Sequence, residues 1–339
     1  MQTEIAVWFP TIRCNTGTDV FTINLVEALN KQGIRAEITW LPLRAEYAPW
    51  TVKIPTPPKW ASVVHVNTWL HPRFIPKDLP VITTLHHSIH DDALTPYKGW
   101  LRTAYHRYWI RHIEHATMQR ANKVIAVSQF ATQVAQQKVI NTPIDVIYNG
   151  VDTDLFKPNN HRKENDTPFR LLYVGSWMTR KGVDLLTPIM NNLGDNFELH
   201  YTGGENVQKE KYKMPNNMHD LGRLNKEQVI NAIQNADALL FPSRSEGLPL
   251  TVLEAMACGL PIIATYGSSL TEIIEDGENG ILCKQDDVAE FSQAAIKLAN
   301  DVAFHSYCSE KNRLRVMQDF SFKTMCSRYI HIYKSKYNM

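Results

Sequence analysis

Phe241-Pro-Ser-Arg-Ser-Glu246-Gly-Leu-Pro-Leu250-Thr-Val-Leu-Glu254-Ala-Met-Ala-Cys-Gly259-Leu-Pro261-Ile-Ile-Ala-Thr265 is the stretch from which the rest of the chain can be read. Residues 238–241 are a short apolar run of strand type, and 242–249 have loop chemistry. Leu250, Leu253 and Ala257 fall on one helical face that stops at Gly259 and Pro261. A strand-loop-helix segment of this kind aims backbone N–H groups, and the positive end of a helix dipole, at whatever lies above the strand's carboxyl end. That arrangement favours a phosphate there. Glu254, in the first turns of the helix, can accept hydrogen bonds from ribose hydroxyls, and Glu246 in the loop can reach a second polyol. A nucleotide sugar offers both partners and the phosphates between them.

A carboxylate early in a helix is also what the macrodipole favours by itself, and a bare Glu-x7-Glu spacing occurs by chance. The context adds weight: Pro242-Ser243 before the first carboxylate, Gly247 directly after it, the small-residue run Ala255-Met256-Ala257-Cys258-Gly259, and an apolar strand pattern over 261–265. In that context the chain resembles the retaining family 4 glycosyltransferases of the two-domain GT-B type. Their signature of proline, serine, two glutamates and an Ala-Met-Ala-x-Gly helix is matched almost residue for residue. The resemblance implies an α/β fold of two Rossmann-like, doubly wound parallel-sheet domains facing a central cleft. It also implies transfer of a sugar from a nucleotide-sugar donor to a hydroxyl acceptor, a glycan or lipid-linked glycan.

Composition agrees. A chain of 339 residues exceeds what one compact core usually holds, and 44% hydrophobic residues suffice for two cores. A net charge of +2 gives no basic field for nucleic acid, and no tract approaches the roughly 18 apolar residues of a membrane helix. Residues 1–4 lead into a strand without the positive start and apolar core of a secretion signal. The expected location is therefore cytoplasmic, with the inner membrane face as a peripheral alternative. Five dispersed cysteines, Cys14, Cys258, Cys283, Cys308 and Cys326, without Cys-x-x-Cys spacing, indicate neither a disulfide framework nor a zinc site.

Elsewhere short apolar runs alternate with amphipathic stretches, the pattern of parallel α/β layers. Runs at 5–9, 36–40, 63–66, 81–85, 124–127 and 144–147 supply strands of a first domain. Its first helix carries Phe21, Leu25, Ala28 and Leu29 on one face and ends at Gly33. The polar, proline-bounded stretch 157–168 reads as an exposed connector. Runs at 171–174, 198–202, 238–241, 262–265 and 281–282 supply a second domain. The expected division is 1–158 and 168–319, with a C-terminal helix at about 320–339 crossing back to the first domain.

The resemblance distributes roles among particular residues. Glu254 holds the ribose and Glu246 orients hydroxyls of the donor sugar. Backbone N–H groups around Gly247, Leu248, Leu250 and Thr251, with Lys181, stabilise charge on the departing diphosphate. Lysine and helix dipole supply that charge without a metal, and no cofactor beyond the co-substrate is implied. Ser176 stands where many members carry an arginine directed at the diphosphate. Arg180, beside Lys181, is the candidate to supply the absent contact, against the alternative of a solvated residue at a helix start.

The run from Thr83 to Asp92 holds three histidines and two aspartates. A metal site is the minority reading, since the cluster follows a strand and lies in a turn, where helical i, i+4 geometry for His86 and His90 cannot be assumed. A solvated polar loop is the plain reading of His87 and His90. His86, directly beyond the strand, resembles the family's histidine that contacts the donor sugar near the reacting carbon. In the loop 10–19, Gly17 lets the backbone approach a ligand. The family's usual glycine pair is replaced by Thr16-Gly17-Thr18, and the absence of Gly-x-Gly-x-x-Gly argues against a dehydrogenase. Residues 97–115 interleave Lys98, Arg102, Arg107 and Arg111 with Trp100, Tyr105, Tyr108 and Trp109. They read either as a face for a membrane surface or as a domain helix with a solvated basic side. No basic groove extends the patch toward a nucleic-acid site. Two other classes share the donor chemistry, a nucleotide-sugar epimerase of the same architecture and a non-catalytic binding subunit.

Overall fold

A computed structural model describes residues 5–87, 89–159, 168–207 and 213–337. Residues up to Gly150, together with those from Phe322 onward, form one compact unit, and Val151–Ser321 form another. Residues 160–167 of the expected connector and residues 1–4 lie outside the described residues.

The first unit is a sheet of β1 (Ala6–Ile12), β2 (Arg35–Leu41), β3 (Val63–Asn67), β4 (Val81–Leu85), β5 (Lys123–Ala126) and β6 (Asp145–Val146), all parallel, in the order β2-β1-β3-β4-β5-β6. All five residues of β3 and of β4 are buried, as a parallel strand covered on both faces requires. β1 outruns its apolar signal at Phe9. It pairs with β2 through Ile12, whereas pairing with β3 ends at Trp8, so Pro10, which has no N–H to donate, lies past the last bridged pair on that side. Helix Gly17–Lys31 buries Phe21, Leu25 and Leu29 and ends where Gly33 adopts φ 78°.

The C-terminal helix Phe322–Tyr337 belongs to this core. Met325, Cys326, Tyr329, Ile332 and Tyr333 pack with Val7, Phe9, Val63 and Ile82. Buried His65 fastens it, with Nδ1 2.7 Å from the Tyr333 hydroxyl and Nε2 2.8 Å from Thr84 Oγ1, which in turn lies 3.2 Å from the Tyr329 hydroxyl.

The second unit holds β7 (Phe169–Tyr173), β8 (Phe197–Tyr201), β9 (Met218–Asp220), β10 (Ala238–Phe241), β11 (Ile262–Thr265) and β12 (Gly280–Cys283), in the order β12-β11-β10-β7-β8-β9. One face carries the core of helices Val183–Leu193 and Val288–Asn300 against Leu171, Leu199, Leu240 and Ile263. Helix Leu250–Ala257 packs against Val302–Asp319. The chain leaves β7 toward β8 on one side and returns to β10 on the other. The segments leaving the carboxyl ends of β7 and β10 therefore diverge at a topological switch point, the place in such sheets where ligands bind. Among the described residues no helix is long and apolar enough to cross a membrane.

Candidate functional site

The segment after β10 is a loop, and it is buried from Pro242 to Pro249. Buried backbone and charge need partners, and Arg244 supplies many of them. Its guanidinium forks onto Asp184 at 2.8 Å through each terminal nitrogen, reaches Asp286 through Nε at 2.7 Å, and donates to the Thr179 carbonyl. The Arg244 backbone N–H donates to the Arg180 carbonyl at 3.1 Å. The loop after β10 is thus fastened to the segment after β7. Gly182 makes that approach possible: at φ 72°, a Cβ there would stand 2.1 Å from the Pro242 carbonyl oxygen.

Two of the residues singled out in the sequence meet directly. Lys181 Nζ lies 2.5 Å from Glu246 Oε1, and Ser243 Oγ donates to the same oxygen at 2.5 Å. Both charged side chains are largely removed from water. A buried ion pair adds little net stability once desolvation is counted, so its position at the switch point speaks more for function than for folding. Tyr173 donates to the Ser176 carbonyl at 3.0 Å. Its phenol is pushed above its usual range, first by burial and then by the charge of Glu246, with Arg180 opposing. Arg180 and Glu246 therefore lie within electrostatic reach of one phenol, beside Ser176.

Helix Leu250–Ala257 starts after an extended Pro249 with no side-chain cap and no acid in its first turn. Its opening N–H groups have no intrahelical partner and sit at the positive end of the dipole. The helix closes where Gly259 adopts φ 73°. The apolar face expected from Leu250, Leu253 and Ala257 is corrected by the burial pattern. Val252, Leu253, Ala255, Met256 and Ala257 are buried, while Leu250, Thr251 and Glu254 are less so. Packing on the sheet and on helix Val302–Asp319 widens the apolar face, and Leu250 is released to the side that carries Thr251 and Glu254. Desolvation pushes the Glu254 carboxyl up to about 7, with Lys226 pulling the other way.

His86 and Gly17 lie in the first unit. His86 Nε2 is 3.0 Å from Asn67 Oδ1, and Asn67 Nδ2 donates to Thr11 Oγ1 at 2.9 Å. Its ring meets Phe21 edge-on with centroids 4.5 Å apart. Burial pushes its pKa down to about 3, so the imidazole is neutral near pH 7. Gly17 opens helix Gly17–Lys31 rather than lying within the loop, is exposed, and has open space where a Cβ would project. The Cys14 and Asn15 N–H groups of the loop before it donate to Asp19 Oδ2, at 3.0 and 2.7 Å.

Among the described residues of the His86–Asp92 run, His90, Asp91 and Asp92 turn to separate partners. His90 Nε2 pairs with Glu114 Oε2 at 2.7 Å, with Glu114 buried and His90 largely removed from water, which corrects the reading of His90 as part of a solvated loop. Asp92 pairs with Lys138 at 2.6 Å, and Asp91 caps the Ala93 N–H. Glu198, His200 and His219, on β8 and β9, do converge, and Glu198 there also pairs with Arg170. Sequence reasoning gave no role to Arg244, Asp184, Asp286, Gly182 or Asn67, and took Ser243 only as part of the motif's context. Arg244 stood within the quoted stretch and Gly182 beside Lys181, but their partners lie far along the chain.

Residues 156–315 match the family model described as glycosyl transferases group 1, and residues 58–155 match that of Glycosyltransferase Family 4. An uncharacterized glycosyltransferase of Methanocaldococcus jannaschii is 31% identical over 241 residues, which is 69% of this chain and 63% of that protein. The match thus spans less than two thirds of that relative. Among solved structures, sucrose-phosphate synthase from Thermosynechococcus elongatus aligns with a TM-score of 0.82 at 17% identity, covering 99% of this chain and 100% of that one. The Anabaena protein HepE, solved in complex with UDP-glucose, aligns at 0.74 and 16% identity, covering 98% and 100%. At these identities the structural likeness is one of fold.

Proposed function

Because the chain belongs to the group 1 glycosyltransferases, GT-B in fold and family 4-like, we propose that it moves a sugar from a nucleotide-sugar donor to a hydroxyl acceptor with retention at the anomeric carbon. The acceptor class we assign is a glycan or lipid-linked glycan. The observation that carries the reading is the Lys181–Glu246 pair beside the uncapped start of helix Leu250–Ala257. As the bond from the anomeric carbon to the diphosphate oxygen breaks, negative charge grows on the leaving group. Donors already fixed toward that charge give the largest catalytic gain. Lys181 and the N–H groups of Gly247, Leu248, Leu250 and Thr251 are those donors, and we read the reaction as needing no metal.

Glu254 takes the ribose hydroxyls from the less buried side of its helix. Glu246 orients hydroxyls of the donor sugar and shares its carboxylate between them, Lys181 and Ser243. His86, neutral at working pH, is suited to hydrogen bonding with a sugar hydroxyl and not to acting as a charged acid.

The test is a donor panel beginning with UDP-glucose, the ligand of the HepE structure, assayed with and without oligosaccharide and lipid-linked acceptors. The proposal expects acceptor-dependent loss of donor and a product with the donor's anomeric configuration by NMR. A changed sugar formed from donor alone marks an epimerase instead. Nucleotide binding without transfer to any acceptor marks a binding subunit.

A further inference from the structure

The basic aromatic segment 97–115 is not absorbed by the donor site. It forms a helix, Trp100–Ala104 continuing into Arg111–Arg120 through a π-helical turn at Tyr105–Ile110. Inward-facing Ile110, Ile113 and Met118 hold it to the first unit. Its outer side carries Trp100, Leu101 and Tyr108, which are 77%, 66% and 73% exposed.

A second segment extends this surface. Tyr105 donates to Glu46 Oε1 at 3.0 Å, and Trp109 Nε1 to the Glu46 carbonyl at 2.9 Å. Tyr47 packs against Tyr105 with ring centroids 5.5 Å apart, and Trp50 against Trp109 at 6.2 Å. Tyr47 and Trp50 nevertheless remain 55% and 65% exposed. Large exposed apolar side chains gathered from two segments are unusual for a surface that faces only water.

The charge around them has one sign. Arg44, Lys53, Arg102, Arg107 and Arg111 are exposed on the same two segments. Of the two carboxylates in these stretches, Glu114 is buried against His90, and Glu46 is half-buried and accepts from Tyr105. We infer that Tyr47, Trp50, Trp100, Leu101 and Tyr108, with these cations, form a docking surface for an anionic lipid bilayer. The aromatics enter the headgroup region and the cations meet lipid phosphates. Aromatic residues favour that interface, and cations near an anionic leaflet each add attraction, so exposed cations with no exposed carboxylate on the two segments match an anionic surface.

The test is co-sedimentation of the full chain with phosphatidylcholine vesicles, with and without 30% phosphatidylglycerol. Binding to the anionic vesicles alone is expected, weakening with added salt, with a blue shift of tryptophan emission. Combined Arg102→Glu, Arg107→Glu and Arg111→Glu should weaken it by at least about 10²-fold, and Trp100→Ala with Tyr108→Ala by roughly tenfold. Circular dichroism and an unchanged thermal midpoint confirm that these surface variants fold. Equal binding to both vesicle types, no binding to either, or undiminished binding by the folded charge-reversal variant overturns the inference. So does self-association of the free protein that Trp100→Ala abolishes, which would make the face a contact between copies of the chain.

Discussion

Two loops in this chain do the same topological job in different physical ways. Each leaves a strand next to the point where strand order reverses and runs into a helix. In the second unit, the loop after β10 is buried along its length, with Arg244 spread over Asp184, Asp286 and a carbonyl, and with Lys181 and Glu246 already bonded to each other. In the first unit, the loop after β1 exposes Arg13, Asn15, Thr16 and Gly17 and is held chiefly by one carboxylate, Asp19. A buried and bonded loop holds its donors in place before a ligand arrives, which is what stabilising a developing charge requires. An open loop held at one point suits a partner whose shape varies.

The comparison predicts unequal responses to a single methyl group. Gly182→Ala forces a Cβ against the Pro242 carbonyl at a positive φ, so it should lower stability by about 3 kcal/mol in denaturant titration. Gly17→Ala meets open space, and should leave stability within about 0.5 kcal/mol. Equal effects at the two positions would remove the contrast between the loops.

Arg180 gives the next largest effect. It lies within electrostatic reach of the Tyr173 phenol, which donates to the Ser176 carbonyl, in keeping with the reading that it supplies the diphosphate contact missing at Ser176. Arg180→Ala should cost roughly 10²-fold in turnover, the scale of one lost donor at developing charge, and adding Ser176→Arg should restore part of it. A variant with unchanged rates would make Arg180 a surface residue.

Much of this was legible in the sequence, for identifiable reasons. Buried parallel strands give continuous apolar runs, so β3, β4, β10 and β11 were found within a residue or two. β9 was not, because its three residues, Met218-His219-Asp220, occupy a short edge with little apolar content. The strand-loop-helix reading placed Glu246 and Glu254 on their elements. The sequence could not show that the loop is buried, because Arg244 meets partners 60 and 42 residues away. Nor could it show the cost of a Cβ at Gly182, which depends on Pro242. His90 misled for the same reason, since Glu114 comes 24 residues later.

A smaller effect should appear with pH. The Glu254 carboxyl, raised by desolvation to about 7, is protonated below that pH and becomes a stronger acceptor for ribose hydroxyls above it. Nucleotide affinity should rise by about threefold to tenfold between pH 6 and 8. Stability should move the other way, falling as pH rises from the ordinary carboxyl range toward 7, because the folded state keeps a proton the unfolded chain has lost. Glu254→Gln should remove both of its slopes, and a slope in affinity that survives in that variant belongs to the nucleotide. The smallest expected effect is that of excess chelator, which should leave transfer rates unchanged. Loss of activity, restored by magnesium or manganese, would contradict charge neutralisation by Lys181 and the helix alone.

The central claim, that the segments beside β7 and β10 hold the donor, is tested most directly by calorimetry, in three forms of the protein, with the nucleoside diphosphate of the donor that the panel identifies. The account predicts binding to the unaltered chain, at least tenfold weaker binding to Glu254→Ala, and affinity within about twofold for Glu246→Ala, whose loss appears in turnover at roughly 10²-fold. Undiminished nucleotide affinity in Glu254→Ala, or an equal loss of affinity in both variants, would contradict it.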